Sequence, residues 1–152
     1  MGYTHYWYRQ KAIDRAVFGQ IKRDFGKLLP VLEEQGVSLA DGMGNGKPVL
    51  TATKICFNGT KSESYETFDF SQLLRLRSWE EPAEDGTYFQ FCKTAERPYD
   101  LAVTAFLIIA KHYLKQQLTV SSDGDAADWA AARQICKEHL GLDHVELNFT
   151  HY

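Results

Sequence analysis

Hydrophobic and polar positions alternate at the start of the chain, with Tyr3, His5 and Trp7 on one side and Thr4, Tyr6 and Tyr8 on the other. This period of two and its aromatic content predict a strand over Tyr3–Arg9, and aromatic residues on both sides predict cover on both faces. The period then changes. Ile13, Val17, Ile21, Phe25, Leu28 and Leu32 recur every three or four residues, the pattern of an amphipathic helix. Pro30 is expected to kink or end that helix and Gly36 to close it, before a loop through DGMGNGKP.

Two strands are predicted at residues 49–58 and 64–70, around an Asn58-Gly59 pair that readily adopts the positive backbone angles of a turn. SQLLRLR, from Ser71 to Arg77, suits a short helical turn ahead of an acidic stretch. TYFQFCK, Thr87 to Lys93, is the next strand. Pro98 then opens a helix running to about Gln117, apolar on most sides and so expected to be central and buried. LTVSS at 118–122 predicts a strand, and Asp123, Asp125 and Asp128 start a last helix that Gly141 ends. HVELNFT alternates and predicts a final edge strand. The order predicts a single α+β domain over residues 1–152, with a mixed sheet of five or six strands and three main helices.

Composition adds exclusions. The chain has 152 residues, 44% hydrophobic and 24% charged, with a net charge of −3, which excludes intrinsic disorder. Its longest strongly apolar stretch, Leu101 to Ala110, is too short to span a membrane. No apolar leader opens the sequence, so the cytoplasm is the expected location. Cys56, Cys92 and Cys136 are too few and too scattered for a disulfide framework or a thiolate zinc site. A pI near 5.9 argues against a general nucleic-acid binder.

The strand–helix–strand run over residues 86–126 carries the strongest chemical signal. A helical crossover makes its two strands parallel, so their C-terminal ends share one rim of the sheet, where open α/β sheets collect ligands. The first strand brings Lys93, Thr94 and Arg97 to that rim, and the second brings Ser121, Ser122 and Asp123, followed by Gly124 and a helix start. Hydroxyls, free N–H groups and two cations together suit a phosphate or carboxylate. The same residues also suit a plain helix cap with solvated cations. His5, Trp7 and Tyr99 are candidates to stack on or bound a base. His5 or Asp123 is the candidate general base should the pocket hydrolyse its ligand.

Other constellations are weaker. Asp100 and Asp123 could hold Mg²⁺ or Mn²⁺, but two acids without matching histidines favour a helix-dipole role, and no metal or cofactor is expected. The 41–48 loop lacks the spacing and the Ser or Thr of a P-loop. Neither His5 nor His151 has the hydroxyl spacing of a two-histidine phosphodiesterase. Cys92 reads as a small hydrophobe in the sheet. The basic stripe Lys11, Arg15 and Lys22 reads as a solvated helix face or as a docking surface for a protein.

GYTHYW, FNG, ETF, FCKTAERPYD and VSSDGD, between Gly2 and Trp129, resemble a group of small proteins encoded by tailed phages and some bacteria. The group carries no settled activity, so the resemblance implies no catalytic residue. It implies the host cytoplasm as the setting and suggests evasion of host defence by sequestering a nucleotide signal. The expected function is binding of a phosphorylated or nucleotide-like anionic small molecule. Phosphoester or glycosidic hydrolysis in the same pocket, and a protein-interaction module acting through the first helix, are the alternatives. A homo-oligomer is left open.

Overall fold

The computed structural model describes residues 3–147. Among them lie seven strands and three helices: β1 (Thr4–Arg9), α1 (Arg15–Glu34), β2 (Leu39–Ala40), β3 (Val49–Leu50), β4 (Lys54–Gly59), β5 (Phe68–Ser71), β6 (Tyr88–Lys93), α2 (Asp100–Leu114), β7 (Leu118–Ser122) and α3 (Ala130–Leu140). The class is α+β, as the sequence predicts. The strands form two sheets, and they number one more than the upper expectation.

The first sheet has the order β6-β1-β7, with β1 antiparallel to both neighbours. The crossover through α2 therefore does set β6 and β7 parallel, but with β1 inserted between them. Every paired neighbour is antiparallel, which corrects the expectation of a mixed sheet. The consequence is a shared rim on which the C-terminal ends of β6 and β7 flank the N-terminal end of β1. In the second sheet β4 is central and pairs antiparallel with β2, β3 and β5.

The amphipathic period of α1 buries Phe18, Ile21, Phe25, Leu28 and Leu32. Burying each such side chain stabilises the fold by roughly 1.5–3 kcal/mol. Helix α2 is the central element, with every residue from Ala102 to Ala110 buried. Phe106 of α2 meets Phe25 at 5.3 Å and Phe68 at 5.1 Å between ring centroids, and Trp7 of β1 packs on Phe68 at 5.4 Å. These rings join the helices to both sheets. Gly141 closes α3 in the left-handed conformation, at φ 68°. No described helix is long and apolar enough to cross a membrane.

Several local expectations are corrected. Pro30 lies inside α1 and does not end it; the helix continues to Glu34 despite the missing N–H, with Phe25, Leu28 and Leu32 buried on either side of it. The odd residues His5, Trp7 and Arg9 of β1 are buried, but Tyr6 and Tyr8 face outward beside Phe89 and Phe91, which are 47% and 56% exposed. That face is open. Asn58 and Gly59 end β4 and do not form the turn. Residues 71–77 are not helical; Leu73 bridges to Ala12. Asp123 and Asp125 precede a turn at 126–129 that contains Asp128, and α3 begins only at Ala130. Residues 144–147 form no strand, and the rest of the expected final strand lies outside the described residues, as does His151.

Candidate functional site

At the rim, β1 places His5 between the ends of the two parallel strands. The His5 ring is fully buried, with Nδ1 2.8 Å from Ser122 Oγ and Nε2 2.6 Å from Asp100 Oδ1. The Thr94 hydroxyl donates to the same Asp100 oxygen at 2.5 Å, and the Gly124 N–H donates to Ser122 Oγ at 2.9 Å. A carboxylate only accepts, so in the neutral ring Nε2 carries the proton and Nδ1 accepts from the Ser122 hydroxyl. Four chain segments thus meet in one polar chain: Gly124, Ser122, His5, Asp100, Thr94. Trp129 and Tyr3 stand edge-on to the imidazole, each at 5.2 Å between centroids.

Tyr3 covers this chain. Its hydroxyl lies so near Gly124 that a Cβ there would sit 2.2 Å away, and it is hydrogen-bonded to Ser122. Burial, with Asp100 and Asp128 nearby, pushes the Tyr3 hydroxyl well above the usual phenol range, so it stays a proton donor. Asp123 holds the corner from outside, accepting from Thr4 N at 3.0 Å and from the Tyr6 hydroxyl at 3.1 Å.

The cations sit at the β6 end. Lys93 Nζ and the Arg97 guanidinium lie 5.7 and 5.8 Å from the ring centroid of Tyr65, a residue 44% exposed. The loop carrying Tyr65 is fixed from both sides. Asn58 Nδ2 donates to Tyr65 O and Asn58 Oδ1 accepts from Tyr65 N, each at 2.9 Å. Next in the chain, Glu66 accepts from Lys93 N at 2.7 Å through Oε1 and from the Tyr99 hydroxyl at 2.6 Å through its carbonyl. Gly59 is required where this loop crosses β4, because a Cβ would stand 2.3 Å from Glu63 O.

The residues singled out from sequence therefore divide. Thr94, Ser122 and His5 come together as a buried chain, Lys93 and Arg97 come together on Tyr65, and Gly124 and Asp123 form the corner. The single cradle joining Lys93 and Arg97 to the Ser122–Gly124 turn does not form. Strand β1 separates the two groups, a distance on the order of 10 Å at ordinary strand spacing. Trp7 and Tyr99 are 1% and 0% exposed, so neither offers a face to a base; both anchor the core. Ser121 is also buried, on the outward side opposite Tyr6. Asp123 accepts from the Thr4 N–H and the Tyr6 hydroxyl, away from the imidazole, so it is not placed as a general base.

Sequence reasoning missed Tyr65, Glu66 and the role of Asp100 as the partner of His5. An aromatic residue inside a Gly/Thr/Ser-rich loop was the available signal for Tyr65. No group of three or more His, Cys, Asp or Glu side chains among the described residues converges as a metal-ligand set. No protein-family model, curated protein or solved structure matches this chain.

Proposed function

We propose that the protein binds a phosphorylated or nucleotide-like small molecule at this rim. The observation that carries the reading is the convergence of Lys93 and Arg97 on the half-exposed ring of Tyr65. Two cations give charge-assisted hydrogen bonds to an anion, and the ring offers a stacking surface beside them. The buried chain from Gly124 to Thr94 supports the reading by holding the strand ends rigidly behind these groups, which limits the ordering cost of binding. In the phage setting that the sequence resemblance implies, such a module would sequester a host nucleotide signal.

Calorimetric titration with AMP tests this. Saturable binding that falls roughly tenfold or more in Arg97→Ala is expected. Absence of binding, or binding indifferent to both Arg97→Ala and Lys93→Ala, contradicts the assignment.

A second reading is favoured by one specific observation: Ser122, His5 and Asp100 stand in the order nucleophile, base, orienting acid, at 2.8 and 2.6 Å. Phosphoester hydrolysis through them would require Tyr3 to swing aside, since Ser122 is only 2% exposed. Release of phosphate from a phosphoester substrate that disappears in Ser122→Ala would establish this reading. Recovery of intact ligand leaves the binding module.

A further inference from the structure

Toward the other end of β1, strands β4 and β5, the start of α1 and the 72–80 segment enclose a cleft of about 700 Å³. Arg15, Lys54, Arg75 and Arg77 line it, against two carboxylates, Asp69 and Glu80. Lys54 and Asp69 already pair at 3.6 Å. Among the described residues Arg15, Arg75 and Arg77 have no carboxylate partner within salt-bridge distance. Instead Arg77 lies 5.4 Å from the ring centroid of Trp79, which is 71% exposed.

The wall carrying these arginines is fixed. Ile13 N donates to Gln72 O at 2.9 Å, Leu74 N to Lys11 O at 2.8 Å, and Gln72 Nε2 to Ile13 O at 2.6 Å. Leu74 and Leu76 are half-buried while Arg75 and Arg77 are exposed, so the alternation puts both arginines on the solvent side. Behind Gln72 sits a fifth cation, Arg9, fully buried over Phe70 at 4.6 Å. Its Nη2 reaches Gln72 O at 3.4 Å, and its Nη1 has no hydrogen-bond partner among the described residues.

Guanidiniums bind phosphate oxygens as planar forks, and a cleft of this size suits a small-molecule ligand. A single phosphate would engage one or two of them. Three unpaired forks fit a ligand bearing at least two phosphates, and Trp79, exposed beside the lining residue Arg77, would report on the occupied cleft. We propose that this cleft binds an organic polyphosphate of nucleoside-diphosphate size, held by Arg15, Arg75 and Arg77. The site shares no residue with the rim, and its assignment is independent of the function proposed there.

Tryptophan fluorescence reads this directly, because Trp7 and Trp129 are 1% and 0% exposed and Trp79 is open. Titration with ADP is expected to change the Trp79 signal saturably, and AMP to bind there at least tenfold more weakly. The double variant Arg75→Ala/Arg77→Ala, whose side chains are exposed, should keep the circular dichroism spectrum and bind ADP roughly tenfold to a hundredfold more weakly. Lys93→Ala/Arg97→Ala should leave the ADP response at Trp79 intact. No saturable ADP response, equal affinity for AMP and ADP, or a response lost with Lys93→Ala/Arg97→Ala but kept with Arg75→Ala/Arg77→Ala would overturn the proposal.

Discussion

The two ends of β1 treat polar groups in opposite ways. At its start, His5, Ser122, Thr94 and Asp100 satisfy one another in a chain closed over by Tyr3. Toward its end, Arg15, Arg75 and Arg77 stand around an open cleft and, among the described residues, form no salt bridge with the Asp69 and Glu80 that share it. Polar groups that complete each other's hydrogen bonds rigidify a structure, whereas unpaired cations at an open surface keep their donors for something else. A polar cluster whose hydrogen bonds are complete has few donors left for a ligand, however good its geometry. At the rim the groups available to a ligand are Lys93, Arg97 and Tyr65, beside the chain rather than in it.

The largest expected effect breaks the closed chain. His5→Ala removes a fully buried ring and leaves Ser122 and Asp100 without their shared partner. A loss of about 3–4 kcal/mol is expected from the cavity and the unpaired groups together, read as a lower midpoint in urea unfolding. A change under about 1 kcal/mol would mean that the chain does not hold the rim.

Next comes the corner. Gly124→Ala forces a Cβ to within 2.2 Å of the Tyr3 hydroxyl and 3.0 Å of Asp128 Cβ. Overpacking of this kind costs about 1–3 kcal/mol. Tyr3→Phe removes the oxygen, so a double-mutant cycle should show that the two changes together cost less than their sum. Strict additivity would separate Tyr3 from the corner.

Alkaline pH sharpens the comparison, because the two ends carry buried groups of opposite sign. Burial pushes the Cys92 thiol, beneath the rim, up to about 12, and lowers Arg9, behind the cleft, to about 10. A raised folded value means that the folded chain keeps a proton the unfolded chain has lost. The Cys92 contribution is therefore full below about pH 8.5 and is lost as the pH rises toward 12. Arg9 acts the other way. Above about pH 10 the unfolded chain binds more protons there, so stability is gained as pH rises. Cys92→Ala should flatten the fall in melting temperature between pH 8.5 and 10.5, and Arg9→Met should steepen it above pH 10. Unchanged profiles in both variants would contradict these environments.

The smallest effect is at the exposed cation. Arg97→Ala should move stability by no more than about 0.5 kcal/mol in the free protein, since its side chain is exposed and makes no ion pair among the described residues. Unfolding of the domain by this change would make Arg97 a structural residue.

Local chemistry made much of this architecture legible. The three-and-four spacing of Ile21, Phe25, Leu28 and Leu32, the apolar run of α2, the five residues of β7 and the Gly141 stop all follow from side-chain periodicity and backbone freedom. In the first turn of α1, however, Phe18 is buried where the spacing named Val17. The shared rim followed from the handedness and reach of a helical crossover. Pairings between distant segments were not legible. Nothing near Asp100 signals that it accepts from a histidine 95 positions away, and it reads as an ordinary first-turn acid. Tyr65 becomes part of the site only through Asn58, whose side chain bonds both backbone groups of that residue. SQLLRLR reads as a short helical turn because the bonds that hold it otherwise, Leu74 N to Lys11 O and Gln72 Nε2 to Ile13 O, are made to a distant segment.

The proposed role of the rim is to bind an anion through Lys93, Arg97 and Tyr65, with the buried chain as their support. Amide chemical-shift mapping by NMR during a titration with AMP tests this most directly. The prediction is that the largest saturable shifts fall on Tyr65, Lys93 and Arg97, with the amides of His5 and Ser122 moving less. Saturating AMP that leaves Tyr65, Lys93 and Arg97 unmoved would contradict it.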